Sequence, residues 1–412
     1  MSFSVAIVGS GPSGLYAAEG LLKSLPGTSI DIIDRLPTPF GLIRAGVAPD
    51  HQGNKAVARV LAKTAEKPGV RFLGDIEIGR DAGFARLREI YDAVIVATGA
   101  TEDRRLGIPG DALPGVVGSF AFAGWVNGHP DRTKAPPLDA SAAVIIGNGN
   151  VAIDVARILA KTPAEMAKSD IDPEAAKAIW AKPIADIHIV GRRGPVEAGF
   201  TNPELAELGR LEAAVALAEA ADVPASGPKD KESNLATLRA FSANARDAKP
   251  TGIRFHFNKT PREILGDASG RVRAVRFDDG EIPCAIVVTA IGYACKPIEG
   301  LSYDARGIVA NENGRVAPRL YVVGWAKRGP SGTIATNRAD SFAVADLVAA
   351  DLAAQGASTK AGAAGFDALG LKPTSWADWK KIEAAEVAAA SAGAPRRKFS
   401  TWDAIKSALG RP

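Results

Sequence analysis

Two glycine-rich turns, an arginine pair and one histidine carry the chemistry that can be read from this 412-residue chain. Gly9-Ser10-Gly11-Pro12-Ser13-Gly14 follows the apolar run Val5-Ala6-Ile7-Val8 and opens a helical pattern. In this G-x-G-x-x-G arrangement the first glycine makes the tight turn, and the second admits a pyrophosphate close to the backbone. The third lets the helix pack on the strand. The free N–H groups and positive dipole of a helix N-terminus suit phosphate. A second strand, Ser29 to Ile33, ends at Asp34, about twenty residues beyond Gly14, where an acid can bond a ribose hydroxyl.

The pattern occurs again at Val144-Ile145-Ile146 followed by Gly147-Asn148-Gly149-Asn150-Val151, with Ala152 in place of the third glycine. A weaker third copy, Ile187 to Val190, runs into Gly191-Arg192-Arg193-Gly194. An acid after that strand would hold a free 2′-hydroxyl. Two guanidiniums instead suit a 2′-phosphate through charged, often bidentate hydrogen bonds, which favours NADP over NAD. Two dinucleotide units in one chain imply two nucleotides bound at once.

The elements that position these residues are short β-branched runs alternating with alanine-rich helices, the pattern of a parallel sheet covered on both faces. The expected fold is α/β with two Rossmann-like domains. Ala93 to Gly99 and Ile286 to Gly292 read as buried strands whose small-residue ends let the chain cross between domains. One domain, residues 102–324, is therefore expected as an insertion into a discontinuous domain of residues 1–101 and 325–412. The polar, alanine-rich stretch from Ala216 to Pro250 reads as a surface helix–loop–helix without chemistry.

Composition excludes several classes. A formal charge of +4 suits an acidic partner or phosphorylated cofactor but is too weak for nucleic acid. No apolar stretch approaches a membrane span, and the N-terminus shows no targeting pattern, so a cytoplasmic protein is expected. Cys284 and Cys295 are neither CxxC nor zinc-spaced, no His/Cys/Asp cluster has metal spacing, and Gly-x-Ser-x-Gly is absent. His129, His188 and His256 read as structural.

The long loop Pro39 to His51 (PFGLIRAGVAPDH) is too rich in glycine and proline for a simple connector, and such loops tend to be functional. With it the chain resembles the adrenodoxin reductase family, whose bacterial members are ferredoxin–NADP reductases of the glutathione-reductase-like fold. GNGNVAIDVARIL (147–159), GRRGPVEAGFTNPEL (191–205) and GWAKRGPSGTIATNRADS (324–341) extend the resemblance. Trp379, Glu383 and Arg396-Arg397-Lys398 carry it into the tail.

The resemblance implies FAD on the terminal domain and NADP on the inserted one. Gly9, Gly11, Pro12, Ser13, Gly14, Asp34, Leu42, Ile76, Thr98, Gly99, Trp325, Gly332, Thr333 and Ile334 are then the expected FAD contacts. Gly147, Asn148, Gly149, Asn150, Val151, Arg192, Arg193 and Glu204 are those for NADP. Asp34 departs from the family by standing where a longer Glu is expected. In the family a histidine at the position of His51 pairs with an acid in or just after the FTxxEL motif. Here that acid is Glu207 or Glu204, and Asp154 is expected either to join them or to face solvent.

Histidine titrates nearest neutrality, which suits His51 to hold or pass a proton. Without a redox-active cysteine pair, electrons are expected to pass from flavin straight to an external acidic ferredoxin-like carrier. Arg44, Lys55, Arg104, Arg105, Lys327 and Arg328 are the candidate docking cations. A flavin monooxygenase, an electron-input subunit of a larger complex, and a non-enzymatic redox sensor are the competing readings.

Overall fold

The computed structural model describes residues 3–332 and 334–411. The expected contact Thr333 therefore lies outside the described residues. Two six-stranded sheets carry the fold. In chain order the first takes β1 (Ser4–Val8), β2 (Ser29–Ile33), β3 (Val70–Leu73) and β4 (Ala93–Val96). The second takes β5 (Val116–Gly118), β6 (Ala142–Ile146), β7 (Asp186–Val190), β8 (Ala214–Ala218), β9 (Thr251–His256) and β10 (Ile286–Thr289). The chain then returns to the first sheet with β11 (Arg315–Ala317) and β12 (Leu320–Val322).

The orders are β11-β12-β4-β1-β2-β3 and β5-β10-β6-β7-β9-β8. Every pairing in the second sheet is parallel. In the first, only β11 with β12 is antiparallel. All five residues of β1 and all four of β4 are buried, as strands covered on both faces must be. In each sheet the strand before the glycine turn (β1, β6) is flanked by later strands on both sides. Its carboxyl end therefore sits at the reversal of strand order, where open α/β sheets bind ligands.

The two crossings between sheets lie side by side, Glu102–Asp103 pairing antiparallel with Tyr293–Ala294. This corrects the expected end of the insertion at 324. β11 and β12 belong to the first sheet, where Leu320, Tyr321 and Val322 pair with Val94, Ile95 and Val96. The second crossing is therefore near residue 295. The stretch from Ala216 to Pro250 also differs from the expected helix–loop–helix. It begins inside the edge strand β8, which pairs with β9, before a helix over Glu232–Ser242. An edge strand made of Ala214-Val215-Ala216-Leu217-Ala218 carries little β-branched signal, so composition alone hides it.

Five helices matter for the site: α1 (Pro12–Ser24), α2 (Asn150–Ala160), α3 (Asn202–Glu207), α4 (Ile334–Gln355) and α5 (Trp376–Ala388). α1 and α4 pack so closely that a Cβ on Gly20 would lie 2.7 Å from that of Ala345. α5 begins at a capping box, in which the Ser375 hydroxyl accepts from the Asp378 amide and the Asp378 carboxylate accepts from the Ser375 amide. This helix grips the long loop. Trp379 is buried edge-on against Phe40, ring centroids 6.1 Å apart, and lies under the Arg44 guanidinium at 5.2 Å.

Glu386, also on α5 and fully buried, accepts from both terminal nitrogens of Arg44. From the other side the inserted domain takes the loop: Ala48 belongs to that domain's hydrophobic core. Lys55 donates to Asn127 Oδ1 at 2.6 Å and to Asp170 at 2.7 Å, where Lys398 of the tail joins them. Arg44 and Lys55 are thus internal pairs and not docking cations, a correction to the expectation. Trp379→Ala should lower stability by about 3–5 kcal/mol, the cost of emptying a buried aromatic site. Denaturant unfolding checks this, and a loss below ~1 kcal/mol would mean the loop does not depend on α5.

Candidate functional site

The first glycine turn closes one end of a cavity of about 670 Å³. Gly9 needs its glycine, since φ is +116° and an added Cβ would stand 2.4 Å from the Ala97 carbonyl oxygen. Gly11 is different: an added Cβ would meet nothing within 4 Å. The backbone there is bare toward the cavity, as a cradle for a pyrophosphate must be. Pro12 occupies the first turn of α1, where its missing N–H costs nothing. Gly9, Gly11, Pro12, Ser13, Asp34, Leu42, Ile76, Thr98, Gly99, Trp325, Gly332 and Ile334 all line the cavity. Gly14 is not among the lining residues. It lies beneath the turn, where a Cβ would come within 2.0 Å of the Gly9 oxygen.

Asp34 accepts from the Ser10 amide at 2.7 Å and its hydroxyl at 2.5 Å, and from the Leu36 amide at 2.9 Å. Burial nonetheless pushes its carboxyl up. Sequence reading missed three other parts of the wall: Phe120, His129 and the 296–299 segment. His129 was expected to be structural, and it does accept from the Asp131 amide at 3.1 Å, but it also faces the cavity. Burial pushes it down to about 4, so it is neutral near pH 7.

The second turn opens on the surface above β6. Gly149, like Gly11, has open space where a Cβ would be. The Asn148 carbonyl accepts from the Gly199 and Phe200 amides, and Asn150 Oδ1 accepts from the Thr201 amide at 2.7 Å. These bonds weld the turn to the start of α3. Val151 follows in the first turn of α2, and Ala152 is fully buried in the domain core. Arg192 and Arg193 are exposed at the end of β7, and neither has an ion-pair partner among the described residues. Their turn is held from below by amides of Asn258 and Lys259 bonding to the Arg193 and Gly191 carbonyls.

Between the two turns the long loop, α2 and α3 bring His51, Asp154, Glu204 and Glu207 together. His51 Nε2 lies 3.2 Å from Glu207 and 3.6 Å from Glu204, and Nδ1 lies 3.9 Å from Asp154. Asp154 therefore joins the network. Burial pushes the Asp154 and Glu204 carboxyls up. Sequence reading missed Asp50, Arg157 and Lys161. Arg157, fully buried, chelates Asp50 with Nε at 2.8 Å and Nη2 at 3.0 Å, and Lys161 reaches Asp50 at 2.7 Å. Their spacing on α2, with Asp154, Arg157 and Lys161 three and four apart, was a legible face. His51 and these carboxylates converge within 4.8 Å, closely enough for an ion, yet Arg157 already brings a guanidinium nitrogen to the same oxygens.

The expected docking cations are mostly engaged. Lys327 pairs with Asp340 at 2.9 Å, and Arg328 donates to Asn337. Arg104 donates to the Tyr293 and Arg306 carbonyls and Arg105 to Asp111, but both remain exposed. Cys284 and Cys295 are free, buried and in separate core clusters, and burial pushes their thiols up to about 12 and about 11. They are not a redox pair.

Two parallel dinucleotide units facing one histidine–carboxylate cluster define a pyridine-nucleotide oxidoreductase. The family signature described as "Pyridine nucleotide-disulphide oxidoreductase" matches residues 3–337. NADPH-ferredoxin reductase FprA of Mycobacterium leprae is 39% identical across 96% of each chain. Human mitochondrial NADPH:adrenodoxin oxidoreductase is 37% identical over 96% of this chain and 89% of its own. The solved structure of Mycobacterium tuberculosis FprA in complex with NADPH superposes with a TM-score of 0.94, at 36% identity and full coverage of both chains. The chain belongs to the adrenodoxin reductase family.

Asp50→Asn should cost about 3–5 kcal/mol at neutral pH, because it strips the partner from a buried guanidinium. Arg157 and Lys161 hold the Asp50 carboxyl well below the usual carboxylate range, with burial opposing them. Its folded value is depressed, so its contribution is complete above the unfolded value and fades as pH falls toward the folded one. Urea unfolding of both proteins across an acid series should show the gap narrowing. A gap that is absent at pH 7 would contradict the assignment.

Proposed function

We propose that this protein is an FAD-dependent ferredoxin–NADP(+) reductase, passing electrons between NADPH and a one-electron iron–sulfur carrier. The observation that carries the reading is that the loop lining a glycine-cradled cavity and the helix following a second glycine turn together build the cluster around His51, with Arg192 and Arg193, without ion-pair partners among the described residues, at the end of the neighbouring strand. The buried, separated cysteines fit the same reading, since no thiol pair stands between flavin and acceptor. A flavin when bound supplies the conversion between two-electron and one-electron chemistry. Everything else is the work of this chain.

The bare backbone at Gly11 and the N-terminus of α1 fit a pyrophosphate, and Ser13 and Asp34 flank it. Leu42, Ile76, Thr98, Gly99, Trp325, Gly332 and Ile334 line the rest of the cavity. Gly147, Asn148, Gly149, Asn150 and Val151 present the α2 N-terminus to the second nucleotide, and Arg192 and Arg193 take its 2′-phosphate. His51 and Glu207 hold a proton between them, and Glu204 and Asp154 complete the charge balance around that pair. On this reading the NADP domain runs from about residue 102 to about 295, inserted in a discontinuous FAD domain. Among the described residues no helix is long and apolar enough to cross a membrane. Two free thiols suit the cytoplasm, where we place the enzyme. Arg104 and Arg105, exposed beside the domain crossing, fit the approach of an acidic ferredoxin.

Rapid mixing of the purified yellow protein with NADPH should bleach the flavin quickly, NADH slowly, and oxidised ferredoxin should restore the colour. Bleaching without reoxidation by ferredoxin would replace the carrier assignment and favour the monooxygenase reading. Converting Arg192 and Arg193 to alanine should raise the KM for NADPH on the order of 10–100-fold per arginine, the equivalent of a charged hydrogen bond. Reaction with NADH should be unaffected, and an equal loss with both cofactors would contradict a 2′-phosphate contact.

A further inference from the structure

Arg157 is the largest charged side chain buried completely among the described residues, and the mechanism above leaves it unused. Its Nε and Nη2 are committed to Asp50. Its remaining nitrogen, Nη1, lies 2.8 Å from Asp154 Oδ1, 3.5 Å from Glu204 Oε2 and 3.3 Å from Glu207 Oε2. These are the same three oxygens that face His51, at 3.9, 3.6 and 3.2 Å. Nη1 makes no directed hydrogen bond, and neither do Asp154 Oδ1 and Glu204 Oε2. A guanidinium and an imidazole thus address one set of acceptors, the imidazole through its hydrogen bond to Glu207 and the guanidinium by charge.

We propose that Arg157 is a positioning residue for His51: its guanidinium shares the three carboxylate oxygens facing the imidazole and so limits how firmly His51 holds a proton. The inference rests on the reading of His51 given above and assigns the residue that regulates it. Every element around the imidazole contributes charge. Asp50 comes from the loop, Asp154, Arg157 and Lys161 from the α2 segment, and Glu204 and Glu207 from α3, with Glu165 and Arg210 at the rim. Four carboxylates therefore stand against two permanent cations near the ring. Without Arg157 the same carboxylates would face the imidazole with Lys161 as the only other permanent cation among them, and would bind its proton more firmly. Arg157 neutralises the oxygens from behind, at no cost in solvent access. The imidazole side stays open through a cleft of about 310 Å³ lined by Asp50, His51, Lys161, Glu165, Glu207, Arg210 and Leu211. Protons can reach the ring from water there, apart from the cofactor cavity, which His51 does not line.

The reaction needs this balance. Oxidation of one NADPH by two one-electron carriers gives NADP(+), two reduced carriers and one proton. A histidine that binds this proton too tightly stalls its release, and one that binds it too weakly cannot take it up in the reverse direction.

The test is proton binding by His51 in the oxidised holoprotein, followed by NMR of labelled histidine. The chain has four histidines, so the resonances can be assigned by substitution. In Arg157→Gln, His51 should hold its proton on the order of tenfold more tightly than in the wild type, because the carboxylates lose their other cation. Arg157→Lys, which keeps the charge, should stay within about twofold of the wild type. Should Arg157→Gln fail to fold, the double variant Asp50→Asn with Arg157→Gln removes the buried charges as a pair and leaves two amides that can bond each other. Compared with Asp50→Asn alone, so that the lost carboxylate cancels, it should show the tighter proton. Unchanged or weaker proton binding in whichever glutamine variant folds overturns the proposal. Because the readout is the resting protein and not turnover, it is separate from the reductase assignment. Full turnover by His51→Gln would remove the proton role of His51 and leave the measured coupling intact.

Discussion

Charge burial around the loop of residues 39–55 is the constraint on which the architecture turns. A buried ion is costly unless its partner is equally buried and well placed. Here each partner comes from another part of the chain. Asp50 is neutralised by α2, Lys55 by Asp170 of the inserted domain, and Arg44 by Glu386 of the C-terminal helix. Separating any of these elements would leave an unpaired charge in a dry interior. The loop acts as a rivet between these parts of the chain, and its apolar residues add to the hold, with the small Ala48 side chain buried in the core of the inserted domain.

That rivet decides where the chemistry can occur. α2 has two duties on one rigid body. Its N-terminus carries the glycine turn proposed for the second nucleotide, and its flank carries Asp154 and Arg157 to His51. The bonds from the Asn148 carbonyl and the Asn150 side chain to residues 199–201 place α3 and its two glutamates by the same turn. The proposed nucleotide turn and the carboxylates beside His51 are therefore fixed relative to one another. The buried thiols, pushed well above neutrality, leave the electron path to the cofactors and the external carrier.

Much of this was legible in the amino-acid order. Both glycine turns and the arginine pair could be named, because a dinucleotide turn demands particular residues at adjacent positions; the partnership of His51 with Glu207 or Glu204 was implied only by the family resemblance. The alternation of apolar strands and helices likewise determined a parallel α/β architecture with a second unit inserted. Local sterics and local periodicity act over a few residues, and sequence displays them directly.

What only the tertiary structure decided depends on neighbours distant in the chain. β11 and β12 belong to the first sheet because Leu320 to Val322 add to β4, more than two hundred residues earlier, and short strands announce no partner. Arg44 and Lys55 looked like docking charges, since composition cannot tell a solvated cation from a buried one. Arg157 shares a legible helical face with Asp154, but its burial and its partners were hidden for the same reason. Its importance comes from four carboxylates converging from a loop and two helices, and electrostatic energy depends on distances that only the folded chain defines.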